Sequence, residues 1–175
     1  IPAAGEEARS VAALWPAAEV TLLTDADATV EAFVREAQRA HTLHVTCHGL
    51  FRAGNPLLSS LKLHDGWFMS ADAASLDLQG ATVALSACES GRSAALRGDE
   101  ILGMARGFLS AGAATLVVSL WLAHDRATAE LMTDWHAHMR RGESPAAALR
   151  LAQLAVKARY AHPFYWAPFI LIGRG

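Results

Sequence analysis

The apolar positions along the chain alternate between two periods. Glu6 to Leu14 repeats with helical spacing and stops at Trp15-Pro16. Val20 to Leu23 reads as a short strand. A helix follows through about Arg39, with Asp25 or Asp27 as its cap and Val30, Phe33, Val34 and Ala37 on one face. Thr42 to Cys47 predicts a strand ending at His48-Gly49, and the Gly, Asn and Pro between Phe51 and Ser60 predict a loop. Leu61 to Leu63 is a further strand with a turn at Asp65-Gly66, and Ser70-Ala71-Asp72-Ala73 starts a helix.

Ala81 to Ala87 is a continuous apolar run, the pattern of a strand covered on both faces. Gly91 to Gly98 reads as a loop, Asp99 to Ser110 as a helix, and Thr115 to Trp121 as a second buried strand after a turn at Ala111-Gly112. Two long helices follow, Asp125 to Arg141 and Ser144 to Tyr160. Gly142 ends the first, and Ser144-Pro145 supplies an N-cap and a first-turn proline for the second. Phe169 to Ile172 is the last strand. Alternation of strands and helices predicts an α/β three-layer sandwich, with a mostly parallel core sheet and helices on both faces. There is no internal repeat or linker, so residues 1–175 form one domain.

Composition narrows the classes. Hydrophobic residues make up 53% of the 175 and charged residues 18%, which excludes a disordered segment. The net charge of −2 and the absence of a basic run argue against direct nucleic-acid binding. The longest uncharged stretch, Gly107 to Ala123, contains Gly, Ser and Thr. It is a helix end, a turn and a strand rather than a membrane span of roughly 20 apolar residues. With two cysteines, an alanine-rich chain of this size is not expected to be a disulfide scaffold, and with Glu6, Glu7 and Arg9 between Ile1 and Ser10 no signal peptide is visible, so a cytoplasmic location is expected. The missing initiator Met suggests a piece of a longer chain.

Two predicted strands end in a reactive residue: Leu43 to Cys47 leads into His48-Gly49, and Val83 to Ala87 leads into Cys88. In open parallel sheets, ligands bind beyond the carboxyl ends of the strands. If these strands are neighbours, an imidazole and a thiol share one sheet edge, the minimum for thiolate catalysis. The Gly49 N–H, with no side chain beside it, and the Cys88 N–H are candidate oxyanion donors. Taken singly, a His or a Cys is more often structural, and residue chemistry alone leaves both readings open. Cys47 competes for the nucleophile role, but it precedes His48 on an extended chain, so the two point to opposite faces. A metal site is not expected. His44 and His48 share a face yet lie roughly 13 Å apart along a strand. His136 and His138, two apart on a helix, are expected at the surface.

These segments resemble the CHAT domain, a separase-related branch of the caspase-like cysteine peptidases. The resemblance rests on Leu43 to Gly49, Asn55-Pro56-Leu57-Leu58-Ser59, Leu85-Ser86-Ala87-Cys88-Glu89-Ser90-Gly91, Gly98 to Gly103, Ser119-Leu120-Trp121 and Pro163 to Phe169, in that order. It implies a caspase-like fold and a cysteine endopeptidase without a cofactor, with His48 and Cys88 as the catalytic pair and a protein or peptide as substrate. It also implies a helical-repeat region, of the TPR kind, in the same or a partner chain, and activation through it. A loop from about Glu89 to Gly98 would be mobile before activation. The segment after the next strand would line the substrate pocket, with Trp121 as an apolar wall and Asp125 as a carboxylate favouring Arg or Lys. The family often has two adjacent acidic residues there; this chain has His124-Asp125. The competing reading is a catalytically silent protein-interaction module on the same fold.

Overall fold

The computed structural model describes residues 2–50, 52, 55–89, 98–121 and 123–175, with the backbone alone for 2–3, 56, 87–89 and 98–103. Its elements are helices α1 (Pro2–Ala12) and α2 (Val30–Ala37), strands β1 (Thr42–Leu50), β2 (Ser60–Lys62) and β3 (Trp67–Met69), and a single turn of helix α3 (Ser70–Ala73). Strand β4 (Thr82–Glu89), helix α4 (Gly98–Ser110) and strand β5 (Thr115–Ser119) follow. Helices α5 (Asp125–Arg140), α6 (Pro145–Arg159) and α7 (Pro163–Trp166) then lead to strand β6 (Phe169–Gly173).

The six strands form one sheet in the order β3-β2-β1-β4-β5-β6. The pairs β1–β4 and β4–β5 are parallel, and β3–β2, β2–β1 and β5–β6 are antiparallel. The parallel core is therefore three strands wide, flanked by a hairpin on one side and a returning strand on the other. The hairpin turns at Asp65-Gly66, as the sequence predicts, where the Leu63 N–H donates to the Gly66 carbonyl.

Period-two alternation divides the core between two faces. Val45 of β1, Val83 and Leu85 of β4, and Leu116 and Val118 of β5 pack with Phe33, Ala37, Phe68, Met104 and Phe108 of the α2, β3 and α4 layer. Ala84 and Val117 face the opposite layer, with Val11 of α1, Leu131, Met132 and Trp135 of α5, and Ala148, Ala152 and Val156 of α6. The predicted α2 face is met, with Phe33 and Ala37 buried and Val30 and Val34 packed against the same cluster.

Several local expectations are corrected. Val20–Leu23 forms no strand because it finds no ladder partner. Asp25 and Asp27 lie in a separate 3-10 turn, and α2 is capped by Thr29, whose hydroxyl accepts from the Ala32 N–H at 3.1 Å. Asp65 of the β2–β3 turn accepts from the Val30 N–H at 2.9 Å and ties the hairpin to the same helix start. Strand β3 and helix α7 are unpredicted, since three or four residues are too few to show a period. Strands β1 and β4 run past the expected ends, so His48, Gly49 and Cys88 lie within them. Of the predicted loop Gly91 to Gly98, only Gly98 is among the described residues, and it opens α4. The mobility expected of that loop lies outside the described residues.

Helix α4 meets α3 at Gly107, where an added Cβ would collide with the Ser70 carbonyl oxygen and sit 3.0 Å from the Ala73 Cβ. Gly107→Ala gains about 1 kcal/mol of helix propensity. It loses more by forcing backbone apart, an overpacking cost of roughly 1–3 kcal/mol. The expected outcome is a lower thermal midpoint, by a few degrees, in a melt monitored by circular dichroism.

Candidate active site

The parallel register of β1 and β4 pairs Cys47 with Ala87, His48 with Cys88 and Gly49 with Glu89. The expectation that the strands are neighbours is thereby met, and the register sets His48 and Cys88 level across the ladder. Registered residues of adjacent strands lie on the same face of the pleat, here the face of α1 and α5. Cys47 lies on the other face, where its half-buried side chain packs against the α2/α4 core cluster. The His48 side chain is half-buried and forms no hydrogen bond to a described residue. Gly49 is buried, registered with Glu89 on one side and with Leu61 of β2 on the other.

Strand β5 is the other neighbour of β4. Their ladder ends at Leu85 and Val118. Strand β5 ends at Ser119, and Leu120 and Trp121 follow it in a bend. The chain is pinned as it leaves β5: the Ser119 hydroxyl donates to the Trp121 carbonyl at 2.6 Å, and the Leu120 N–H to the Pro168 carbonyl at 2.7 Å. The half-buried Trp121 indole donates from Nε1 to the Phe164 carbonyl of α7 at 3.3 Å. Asp125 is exposed at the first residue of α5; the N-cap is His124, without a side-chain capping bond. The His124 ring meets Tyr165 edge-on, with centroids 5.4 Å apart. Leu122 lies outside the described residues. Among the described residues no cluster of His, Cys, Asp and Glu is placed to hold a metal ion.

The sequence reading missed a buried polar chain on the same face. Glu7 of α1 is 4% exposed, and its Oε1 lies 2.9 Å from Nε2 of His44 on β1. Nδ1 of His44 lies 3.3 Å from Nε2 of His136 on α5. His136, expected at the surface, is 1% exposed, lies edge-on to Trp15 and Trp135, and has a buried Nδ1 with no partner among the described residues. Two histidines two apart on a helix cannot both face inward, but one can. His136 falls in the α5 stripe of Ala127, Leu131, Met132 and Trp135, a spacing that would have identified it. Glu7 likewise sits four residues before Val11 on the buried side of α1.

Hydrogen-bond accounting gives one consistent set of proton positions when Glu7 is ionised and both imidazoles are neutral. A carboxylate only accepts, so His44 donates from Nε2 to Glu7. Its Nδ1 then accepts from His136 Nε2–H, leaving a bare lone pair on His136 Nδ1. Burial, and then the neighbouring His44, lower the pKa of His136 from 6.5 to about 3. The folded state therefore keeps His136 neutral where the unfolded chain would protonate it. Between those values the unfolded chain binds more protons, so stability rises with pH and is complete above about 6.5. At about 1.4 kcal/mol for each pH unit, the loss on acidification reaches several kcal/mol at most. Urea midpoints should fall between pH 7.5 and pH 5, and His136→Gln should flatten that dependence.

The described residues include no helix long and apolar enough to cross a membrane. Comparison with known families matches the CHAT domain model over residues 1–174. No curated protein matches the chain at a significant level.

Proposed function

The chain belongs to the CHAT domain family, which is related to the caspase-like peptidases, and we propose that it is a cysteine endopeptidase acting through His48 and Cys88. The observation that supports this best is the His48–Cys88 register at the carboxyl end of two parallel strands. In the proposed cycle the Cys88 thiolate attacks the scissile carbonyl, and His48 delivers a proton to the leaving amine. Water, deprotonated by His48, then hydrolyses the thioester and releases the thiolate.

The backbone N–H groups of Gly49 and Cys88 are the proposed oxyanion donors. Gly49 here lies between two ladders, so its N–H serves the oxyanion only after one pairing opens at that end. This favours a zymogen-like resting state, activated by a partner or by a helical-repeat region in the same or a partner chain. The substrate is a protein or peptide, and no cofactor takes part. The same double pairing of Gly49 also suits the second reading, a catalytically silent interaction module, if the pairing never opens.

Substitution separates the two readings. Cys88→Ala and His48→Ala should each lower kcat/KM for peptide cleavage by roughly a thousandfold or more, in the full-length parent with its activating partner. Cys47→Ala, on the opposite face, should leave it within about twofold, the scale of a small packing change. Cleavage that persists in Cys88→Ala overturns the assignment.

For specificity, Trp121 is the proposed apolar wall and Asp125 the carboxylate that attracts Arg or Lys before the cut. The exposure of Asp125 leaves it available to a substrate. Against matched peptides carrying Arg, Leu or Asp at that position, Asp125→Ala should lose about tenfold of the preference for Arg, the scale of one charge-assisted hydrogen bond. An unchanged ranking would return Asp125 to the role of an acidic residue favourable at a helix start.

A further inference from the structure

Away from the proposed dyad, buried titratable groups meet at one junction, where α1, β1 and α5 contribute Glu7, His44 and His136. The three elements are held very unequally. Helix α5 is anchored by Ala127, Leu131, Met132 and Trp135, all fully buried, and β1 by two ladders. Among the described side chains of α1, only Val11 and Glu7 are buried. The turn that follows adds the edge contact of Trp15 on His136, with centroids 6.2 Å apart, and a hydrogen bond from Arg140 to the Leu14 carbonyl.

We infer that α1 is an acid-released latch: the Glu7–His44–His136 chain holds it on the sheet while His136 is neutral, and protonation of His136 releases α1 and the Trp15 turn from a domain that stays folded. The hydrogen-bond chain has room for one proton between the rings. A proton added to His44 Nδ1 would face the His136 Nε2–H, unless His136 moves its own proton to Nδ1, which has no partner among the described residues. Glu7 can balance one positive charge on the pair, and a second has no counterion. Among the described residues the titratable group in contact with His136 is His44 from β1, itself bonded to Glu7 of α1; Arg140, one turn along α5, is directed to Leu14. A charged pair gains water only when a covering element leaves, and α1 is the element with the fewest anchors.

Amide hydrogen exchange over the whole chain tests this, at about pH 8 and about pH 5, with intrinsic exchange rates corrected, a range that spans ordinary histidine titration. Residues 2–15 should lose at least about tenfold of their protection at the lower pH, as expected of a local opening, while β4, β5 and α5 keep theirs. His136→Gln keeps a donor for His44 but takes up no proton, and should lose the pH response of α1. Glu7→Gln still accepts from His44 but cannot balance a charge, so release should move to higher pH. The latch is overturned if α1 and α5 lose protection together, if wild-type α1 is equally protected at both pH values, or if the response survives in His136→Gln. Should His136→Gln fail to fold, the direction of the Glu7→Gln shift decides.

Discussion

Everything in the proposed site depends on the register of one parallel ladder. Strands β1 and β4 keep their partners from Thr42–Thr82 to Gly49–Glu89 without a bulge. A slip of one residue would move every side chain of one strand to the other face. It would set Cys47 level with Cys88 and leave His48 level with Glu89. The core prevents that slip, because Val45, Val83 and Leu85 must all enter the α2/α4 layer while Ala84 enters the α5/α6 layer. Apolar burial worth about 1.5–3 kcal/mol for each such side chain thus fixes the relation of an imidazole to a thiol several residues further on.

The two layers are built differently. The α2/α4 side is a continuous apolar cluster. The α1/α5 side carries a carboxylate and two imidazoles at comparable depth. Burying them is costly, and the unpartnered His136 Nδ1 adds about 1–3 kcal/mol to that cost. The return is positional: a helix with one buried apolar anchor could dock on the sheet in several registers, whereas Glu7 reaches His44 in only one. Buried polar groups have that specifying effect when every member finds a partner. Here one member, His136 through its Nδ1, finds none among the described residues, and the proposed latch rests on that gap.

Much of this was legible in the sequence because long periodic segments carry their own evidence. The apolar run of β4, the Ser144-Pro145 start of α6 and the stop at Gly142 need no tertiary information, and Gly142 adopts the left-handed backbone such a stop requires. The adjacency of the two strands was expected from their reactive ends and is found. Legibility fails where the determinant is non-local. Val20–Leu23 has strand-forming residues but no free ladder, and β3 is a strand only because β2 is there to pair with it. Polar residues mislead in the same way. The stripe spacing can place a histidine or glutamate on a buried face, but not its partner, which for His136 is His44, 92 residues away. The carboxylate of Asp125 shows the converse, since its position at the start of α5 follows from sequence while its use depends on a substrate.

The position of Gly49 bears on how the proposed peptidase would stay silent. A strand residue directs its N–H in the plane of the sheet, towards one neighbour or the other. At Gly49 both neighbours are present, so a ladder competes with any oxyanion for that donor. Freeing it costs one backbone hydrogen bond, a net of about 0.5–1.5 kcal/mol, together with whatever packing the last residues of β1 give up. Three registered pairs join β1 to β2, and they lie at the end of the strand where opening disturbs the core least. A change of that size lies within what a docking partner can supply through differential binding. A proposed dyad already level across the ladder, next to a glycine registered with both neighbouring strands, would therefore need only a local rearrangement to become competent. The apolar register that aligns His48 with Cys88 can persist through that change.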